Sequence, residues 1–525
     1  MELTADLTPV EIIQTADLEE RSKLPDLSNH QVYCGLDSCV THEVHEVIAE
    51  QQDENTALIY GFSRALQAPV LEMMLRGMLT DEEEVYELTR VYEKRRRRVQ
   101  YVVDHLANAI WDKELNPNSP KQLQELFYGH MGLPEIYKYE KGQKKLTCNR
   151  DALEKMQSYR YARAISIAVL ASKSLSKKIG VLKSGIDDDG RMRFSYNIGG
   201  TNTGRFSSNK SVFGGGTNGQ NITDELRRVF VADPGKKLAY LDLEQAESRL
   251  TAYIAGDGSY IAACESDDLH VAVARDIWPE LNWSSGPNRN PASDRETSEQ
   301  KFYRQFSYRD LAKRGGHLTN YVGQPASNAK NLHISVEVMK KFHTSYLKKF
   351  SGIRRYHGDT ARILHVKKTI TTPLGRKRLF FGRVYEDDIL RKGVAYVPQS
   401  SVGDILNLGM WKVWKHLKEV QLLSQLHDAI LFQYEDDPEI EARIIAAAKE
   451  LMTIKVTITD TSLREPKTRE MIIPVDATVG WNWAKYDPKK KFFKDGNPDG
   501  LLSYGKKPER KRLHHQEGNL LSRIM

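Results

Sequence analysis

The spacing of hydrophobic and polar positions divides the 525-residue chain into helical and strand-like regions. Residues 54–180 have helical periodicity, interrupted at 116–120 by Asn-Pro-Asn-Ser-Pro. Residues 181–235 are rich in Gly, Ser, Thr and Asn, which predicts loops and short strands. The apolar run at 238–243 predicts a buried strand that leads into a helix, and the helical pattern returns over 303–366.

The last third of the chain mixes both patterns. We predict a hairpin over 369–381, a helix over 402–420 and strands over 422–434. Residues 1–50 have only short patterns, and residues 281–300 form an irregular insertion. The length predicts several subdomains rather than one core. No apolar run approaches the ~18–20 residues of a membrane span, so we expect no contact with a membrane.

Composition supports a globular protein, because 40% of the residues are hydrophobic and 28% are charged. Four cysteines without zinc-ligand spacing predict reduced thiols, and the acidic N-terminus does not have the pattern of a secretory signal. The net charge is +7, but residues 487–525 carry +5 of it. We therefore predict a flexible basic tail on an almost neutral body, in which any nucleic-acid groove depends on local clusters of charge.

One such cluster is the basic run Lys94–Arg98. It lies in a helical pattern that we expect to begin at Thr80, with Glu83 at capping-box spacing. A solvated helix face paired with nearby acids is the simpler interpretation, and a face that contacts phosphates is the alternative.

Two carboxylates occur where predicted strands end. Asp242 ends an apolar strand just before a helix, and His427-Asp428 separates two strand patterns. Alone, each is explained by a helix cap or a turn. Together, two aspartates on adjacent strands can hold two Mg²⁺ ions ~3.5–4 Å apart, which is the arrangement used for nucleotidyl transfer.

A stripe of polar side chains recurs every four residues at Arg309, Lys313, His317 and Tyr321. In a helix this spacing keeps the side chains near one face. Such stripes commonly face solvent, but a nucleoside triphosphate carries about four negative charges and needs a cationic face of this kind.

Several motifs resemble those of family A DNA polymerases, the class of bacterial DNA polymerase I and related phage enzymes. Asp-Leu-Glu-Gln-Ala-Glu-Ser-Arg at 242–249 resembles the first palm motif, and Gln-Leu-His-Asp at 425–428 resembles the third. The stripe at 309–321 resembles the second motif. Asn116–Leu123 and Thr201–Ser208 match the thumb signature and a primer–template contact loop. The motifs occur in the family's order over residues 55–485.

The resemblance implies a mixed α+β fold shaped like a right hand, with an antiparallel palm sheet and a helical thumb and fingers. The implied division is an exonuclease-like remnant or extension at 1–53, thumb and the start of the palm at 54–235, palm at 236–265, fingers at 266–368, palm at 369–486 and the basic tail at 487–525.

The resemblance also implies roles for individual residues. The metal ligands would be Asp242, Asp428 and the backbone carbonyl of Leu243, and the catalytic residues would be Asp242, Asp428 and Lys313. The cofactor would be two Mg²⁺ ions, for which Mn²⁺ can substitute. The nucleotide-binding residues would be Arg309, Lys313, His317, Tyr321, Glu247, Gln245 and His270, with Glu247 as the steric gate that excludes a ribose 2′-hydroxyl. The DNA-binding residues would be Arg205, Ser207, Ser208, Gln220, Asn221, Arg249, Arg391, Gln399, Gln425 and His427.

The sequence departs from the family pattern at two places. His317 replaces an aromatic residue, and Gly315-Gly316 stand within the predicted helix, which costs up to ~1 kcal/mol each relative to Ala. Our hypothesis is that this helix bends easily and that His317 alters the selection of nucleotide analogues. Ala429 stands where an acidic residue usually follows the catalytic aspartate, which weakens any case for a third carboxylate.

Tyr33 and Asp37 match the last motif of the family's 3′–5′ exonuclease, and we interpret them as a remnant. The earlier exonuclease carboxylates are absent, so we expect no intrinsic proofreading. The expected partners are primer–template DNA and dNTPs, with a separate exonuclease or replisome protein as a further possibility. The expected location is the cytoplasm of a bacterial or phage-infected cell.

Two other functions remain open at this point. A single-subunit RNA polymerase would share the palm and fingers, but Glu247 and the thumb signature argue against it. A catalytically silent DNA-binding protein would not need the paired aspartates opposite the cationic stripe. Reverse transcription could occur as a side reaction.

Overall fold

The computed structural model describes residues 28–140, 143–212, 214–286, 289–303, 306–382, 387–460, 467–491 and 495–506. The chain forms two compact units, of which the first comprises residues 1–64 with 375–377 and the second comprises the remainder. Among the described residues, no helix combines the length and the apolar character that a membrane span requires.

Within the described residues, the first unit contains two helices, α1 (Asn29–Glu50) and most of α2 (Glu54–Ala65). Ser28 caps α1 in a reciprocal capping box with Gln31. The short patterns predicted for residues 1–50 were therefore wrong for residues 29–50, where Val32, Leu36, Val40 and Val44 recur every four residues on one side of an otherwise exposed helix. Tyr33 and Asp37 lie one turn apart on α1, and Tyr33 is 48% exposed.

The second unit begins with a mainly helical region. Its elements are α3 (Gln67–Arg76), β1 (Met78–Thr80), α4 (Glu82–Trp111), α5 (Pro120–Gln124), a π-helical turn (Glu125–His130), β2 (Tyr137–Glu140), β3 (Gln143–Leu146), α6 (Arg150–Met156) and α7 (Arg163–Leu182). The long helices α4 and α7 pack together, and a buried cluster that includes Leu123, Phe127 and Ile165 joins them to the shorter helices.

The start of α4 differs from the sequence prediction by one position. Asp81 is the cap, and its carboxylate accepts a 2.9 Å hydrogen bond from the backbone N–H of Glu84. Thr80 instead ends β1, where its hydroxyl donates to the carbonyl of Gly190. Lys94–Arg98 follow on α4 with exposed side chains.

Short strands and turns connect this region to the central sheet, as the composition of residues 181–235 predicted. They are β4 (Arg191–Met192), β5 (Phe194–Asn197), β6 (Ser207–Lys210), two 3₁₀ turns (Gly219–Asn221 and Arg227–Val229) and β7 (Phe230–Val231). Gly204, in the loop between β5 and β6, has φ 75°, which a residue with a Cβ rarely adopts.

The central sheet has five antiparallel strands in the order β13-β14-β8-β17-β20. They are β8 (Lys236–Leu243), β13 (Gln421–Leu426), β14 (Ala429–Glu435), β17 (Val475–Gly480) and β20 (Leu502–Ser503). Helices cover the middle of the sheet, and nearly every residue of β14 is buried. A strand buried in this way needs apolar side chains on both faces, and the middle of the sheet has them. The predicted strands at 238–243 and 422–434 are confirmed.

The flexible tail predicted from Asp487 was wrong for its first part. Residues 487–491 and 495–497 form a strand pair, β18 and β19, and Leu502 and Ser503 pair with Val479 and Thr478 at the edge of the central sheet. The amides of Asn482 and Asn497 bond each other in the interior, which fixes this segment. Residues 507–525 lie outside the described residues.

A helical subdomain follows β8. Its elements are α8 (Ala246–Ala255), α9 (Gly258–Cys264), α10 (Leu269–Ile277), α11 (Pro291–Glu299), β9 (Lys301–Tyr303), β10 (Phe306–Ser307), α12 (Tyr308–Asn320), α13 (Pro325–Leu332), α14 (Val336–Lys349) and α15 (Ser351–Lys367). The insertion predicted to be irregular over 281–300 was only partly so, because α11 occupies its second half. Asn290 caps α11, and Pro291 occupies its first turn.

The remaining elements lie in the second unit, apart from Lys377 at the start of β12, which belongs to the first. They are β11 (Thr369–Thr371) with β12 (Lys377–Leu379), α16 (Asp387–His416), α17 (Pro438–Met452) and the hairpin of β15 (Lys455–Asp460) and β16 (Lys467–Ile472). The helix α16 begins 15 residues before the predicted start at 402, because it continues through Pro398. It packs against α8, α15 and α17.

The glycines of α12 have a packing role that our bending hypothesis did not include. A Cβ on Gly315 would lie 2.7 Å from the ring of Phe342, and one on Gly316 would lie 3.2 Å from Tyr346. Both aromatic residues belong to α14 and are at most 2% exposed. The glycine pair therefore lets α12 approach α14 closely.

We predict that Gly315→Ala destabilises the protein by about 1–3 kcal/mol, because the added methyl group overpacks the contact with Phe342. The matched control is Gly358→Ala in α15, where a Cβ meets nothing within 4 Å and where alanine favours the helix. Urea denaturation of both variants measures the difference. Equal stability of the two variants would show that α12 does not depend on this contact.

Candidate active site

The two aspartates singled out in the sequence meet at one end of the central sheet. In the pairing of β8 with β14, Asp242 lies opposite Ala429, next to the turn that carries Asp428. The backbone N–H of Leu243 donates to the carbonyl of Asp428 at 3.0 Å. The turn between β13 and β14 is only His427-Asp428, and His427 has φ 39°, as a two-residue hairpin requires.

Charge repulsion is strong at this end of the sheet. Burial and the neighbouring carboxylates of Asp428, Asp476 and Glu244 raise the pKa of Asp242 to about 7. Burial also raises the pKa of Asp428. Such a pair favours a divalent cation, which removes the repulsion that the two charged forms experience. Ala429 is fully buried, so a carboxylate at that position would be desolvated.

Within the described part of the chain, no three or more histidine, cysteine or acidic side chains are grouped so that they could hold a metal by themselves. The pair of aspartates still fits Mg²⁺, which usually takes one or two carboxylates and completes its shell with water and substrate phosphates. Gln245 adjoins the pair, and its buried Oε1 has no hydrogen-bond partner.

A cavity of about 590 Å³ extends from the aspartates to α12. Most of its lining was predicted from the sequence: Arg205, Asp242, Leu243, Gln245, Glu247, His270, Lys313, His317, Gln399, His427 and Asp428. Ala246, Ser248 and Arg314 also line it and were missed. Arg314 could not be found from a four-residue stripe, because it follows Lys313 directly and stands beside the stripe.

Glu247 is held at the wall of this cavity by two donors. Its Oε1 accepts from Nη2 of Arg205 at 2.5 Å, and its Oε2 accepts from the hydroxyl of Tyr321 at 2.5 Å. Burial and the charge of Glu247 raise the pKa of Tyr321 well above its usual value, so the phenol remains a donor. Nε of Arg205 donates to the carbonyl of Gln399 at 3.1 Å. These bonds fix the carboxylate in one position.

The approach of Arg205 to α16 depends on a glycine. A Cβ on Gly403 would lie 3.1 Å from Cγ of Arg205, which is tighter than most contacts. The helix therefore leaves room for the arginine at the position where the side chain turns toward Glu247.

The cationic stripe lies on α12, as its spacing predicted. Ser307 caps α12 and forms a capping box with Asp310. Lys313 and His317 are exposed to the cavity, and the ring of His317 meets that of Tyr321 edge-on at 4.9 Å. Arg309 is turned away: its Nη2 and Nε donate to Asp268 at 2.8 and 3.1 Å.

His270 of α10 lines the same cavity as Lys313 and His317 of the stripe. Burial lowers its pKa to about 4, and the positive charges of Arg309, Lys313 and His317 act in the same direction, whereas Asp268 opposes them. His270 is therefore neutral near pH 7, and its ring can donate only one hydrogen bond.

The predicted DNA-binding residues divide into two groups. In the first group, Arg205, Gln399 and His427 line the cavity. Asn221 and Arg391 of this group are exposed, and Ser207 is half-buried. The second group is Ser208, Gln220, Arg249 and Gln425, whose polar atoms bond within the protein.

Arg249 and Ser208 do not line the cavity, and each bonds within the protein, so their contact with DNA stays a prediction. Arg249 is 4% exposed and pairs with Glu265 at 2.6 Å. The hydroxyl of Ser208 accepts from the N–H of Gly219 at 3.1 Å. Gln425 is also buried, and its Oε1 accepts from Gln220 at 3.0 Å. A linear motif cannot reveal that these polar groups form hydrogen bonds or ion pairs within the protein.

Comparison with known proteins identifies the family. Residues 85–485 match the family model described as DNA polymerase family A. The chain belongs to DNA polymerase family A. It is 25% identical over 492 residues to DNA polymerase I of Chloroflexus aurantiacus, a match that covers 87% of this chain and 46% of that protein. It is 26% identical over 464 residues to DNA polymerase I of Bacillus caldotenax, covering 84% and 47% respectively.

The fold of this family A chain agrees with a solved structure, the POL domain of Pol1 from M. smegmatis in complex with DNA primer-template and dNTP. The TM-score is 0.62 at 22% identity, and the match covers 80% of this chain and 69% of that chain. The mixed α+β polymerase fold predicted from the motifs is thus confirmed. The chain spans about half the length of the curated relatives it matches.

The environment of His270 predicts a pH dependence of stability. Because its pKa in the folded protein is about 4 and the usual value is 6.5, the unfolded chain binds the proton more tightly. Above about pH 6.5 the ring is neutral in both the folded and the unfolded protein, so it does not change the free energy of unfolding. As the pH falls from 6.5 toward 4, the unfolded chain takes up the proton first, and the free energy of unfolding decreases. From pH 7.5 to pH 5 we expect a loss of about 1–2 kcal/mol that His270→Gln does not undergo.

Urea denaturation of the wild type and His270→Gln at both pH values tests this expectation. The difference between the two proteins isolates His270 from other groups that titrate. An identical pH dependence in both would contradict the effect of burial on the pKa of this ring.

Proposed function

We propose that this chain is a template-directed DNA polymerase that adds dNTPs to the 3′ end of a primer by a two-metal mechanism. The observation that carries the proposal is the arrangement of one cavity: a pair of repelling aspartates lies at one end, and Lys313 and His317 of α12 lie across from it. A triphosphate with its metal ions has the complementary charges. Membership of family A supports the same activity.

Asp242 and Asp428, with the carbonyl of Leu243, would hold Mg²⁺. When bound, the metal supplies activation of the primer 3′-hydroxyl and stabilisation of the charge on the leaving pyrophosphate. The tight turn at His427-Asp428 and the hydrogen bond from Leu243 N–H to Asp428 fix the backbone that carries both carboxylates. The protein thus holds two charges ready at a position where neither is well solvated.

The triphosphate would bind along α12. Lys313 reaches the cavity and would bind the phosphates as a point charge, and it is the proposed catalytic cation because it can neutralise the leaving group. Arg309 would add a planar donor once it leaves Asp268. His270 is neutral and would donate one hydrogen bond. His317 and Tyr321, whose rings contact each other, would form the surface against which the base pair lies.

Glu247 would act as the gate against ribonucleotides. Its two hydrogen bonds, from Arg205 and Tyr321, prevent the carboxylate from moving aside. A fixed side chain discriminates by shape more strongly than a mobile one, because moving it breaks both bonds. Gln245, whose Oε1 has no partner, would complete the wall near the sugar or the phosphates.

Primer–template DNA would cross the surface beside the aspartates. His427 and Gln399 line the cavity and would contact the primer end and the template, and Arg205 would reach the minor groove. Exposed Lys94–Arg98 on α4 would contact phosphates farther along the duplex. We propose residues 236–265 and 369–486 as the palm, 266–368 as the fingers and 54–235 as the thumb with the start of the palm.

An RNA polymerase is disfavoured by the fixed carboxylate of Glu247, since a ribose-accepting site needs space there. A silent DNA-binding protein would have no use for a half-buried pair of aspartates whose repulsion destabilises the fold.

The first test is extension of a labelled primer on a DNA template with Mg²⁺. We expect extension with dNTPs by the wild type and a loss of at least about 10³-fold in rate for Asp428→Asn, because an amide is a weak Mg²⁺ ligand. Asp437→Asn is the control: this residue caps α17 beyond the end of β14 that is remote from Asp428, and asparagine caps equally well.

Primer binding without extension in the wild type would favour the silent binding protein. Full activity of Asp428→Asn would remove Asp428 from the catalytic centre.

The gate is tested by comparing incorporation of dNTPs and rNTPs by the wild type, Glu247→Ala and Glu247→Gln. We expect the preference for dNTPs to fall about 10- to 200-fold in Glu247→Ala, because the space for a 2′-hydroxyl opens. Glu247→Gln keeps the shape of the side chain and should keep most of the preference. If Glu247→Ala discriminates as the wild type does, Glu247 is not the gate.

A further inference from the structure

Residues 281–286 and 289–300 belong to the helical subdomain. Its helix α11 packs against both α10 and α12. Asp294 on α11 is 1% exposed, pairs with Arg275 of α10, and accepts a 2.7 Å hydrogen bond from the N–H of Ser284. This buried ion pair holds α11 against α10 and α12, and α12 is the helix that carries the cationic stripe.

Asp268 is the residue at which these helices meet. Its Oδ1 caps α10 and accepts from the N–H groups of His270 and Val271 at 2.9 and 3.2 Å. Its Oδ2 accepts from Arg309 of α12 at 2.8 Å and from Nη1 of Arg295 of α11 at 3.4 Å. One carboxylate oxygen is thus shared by two arginines on two helices.

The pairing has a consequence for nucleotide binding. Arg309 cannot give the same donors to Asp268 and to a phosphate, so its Nε and Nη2 groups bind a triphosphate only after they leave Asp268. The side chain of Asp268 is only 18% exposed, and a carboxylate of that burial is costly without a cation. Arg295 already contacts the same oxygen and can remain there.

We propose that Arg295 is a positioning residue for the nucleoside triphosphate: it compensates the charge of Asp268 and so releases Arg309 to the phosphates. The inference deepens the proposed polymerase function and rests on it. Arg295 itself is 53% exposed, shares its charge with Glu299 at 2.9 Å, and does not line the cavity. Its effect on the nucleotide therefore passes through Asp268.

The test measures equilibrium binding of the correct dNTP to a complex whose primer ends in a dideoxynucleotide, so that no bond forms. We expect Arg295→Gln to raise Kd about 3- to 10-fold, the range of a partly buried ion pair. In single-turnover extension with a normal primer, the rate at saturating dNTP should change less than twofold, since Arg309 still binds once released. Arg295→Lys should restore most of the affinity, because a lysine charge can stay near Asp268.

A double-mutant cycle separates this role from simple attraction of the triphosphate by a nearby cation. Asp268→Asn keeps the cap of α10 but removes the charge, so Arg295→Gln should have no further effect on Kd in that background. An effect of equal size in both backgrounds, or none in either, would overturn the proposal.

The matched control is Arg289→Gln, which removes an exposed arginine of the same segment that pairs with Asp267 at 4.0 Å. Its Kd should remain within twofold of the wild type, and an increase equal to that of Arg295→Gln would also overturn the proposal. Wild-type protein that binds primer–template but neither binds nor incorporates dNTPs would refute the proposed function. Normal wild-type binding with an unchanged Arg295→Gln would refute only the role of Arg295.

Discussion

The antiparallel register of β8 with β14 is the constraint on which the rest of the site depends. It places Asp242 beside the turn that carries Asp428, where the two carboxylates are largely buried and repel each other. The surrounding sheet is apolar and covered by helices, which makes the register costly to shift, since a slip of one residue would turn every side chain to the opposite face. The fold thus stabilises a pair of charges that would not come together by themselves.

The opposite wall of the cavity is positioned by close packing rather than by charge. Gly315 and Gly316 allow α12 to lie against the aromatic rings of α14. The same helix carries Lys313 and His317, which line the cavity. Two independent features therefore position the two sides of the cavity. The register of β8 with β14 positions the aspartates, and the approach of α12 to α14 positions Lys313 and His317.

Two side chains of the candidate site already have partners within the protein. Glu247 is bound by Arg205 and Tyr321, and Arg309 is bound by Asp268. These bonds satisfy buried polar groups, and they also decide which residues are ready for a substrate. Glu247 is fixed in place as a wall, whereas in the role that we propose Arg309 would exchange one anion for another, so its contribution would depend on what else stabilises Asp268.

The sequence by itself determined the family, the central strands and most of the cavity lining, because the motifs at 242–249, 309–321 and 425–428 are local and their spacing fixes which side chains share a face. Only the tertiary structure decided which polar residues are used internally. Arg249 and Arg309 look alike in a motif, yet one is buried against Glu265 and the other is shared with Asp268. The packing role of Gly315, the strand at Leu502–Ser503 and the link through Arg295 likewise depend on contacts between segments far apart in the chain or on different elements. No local pattern records such contacts, because burial and pairing are properties of the assembled fold.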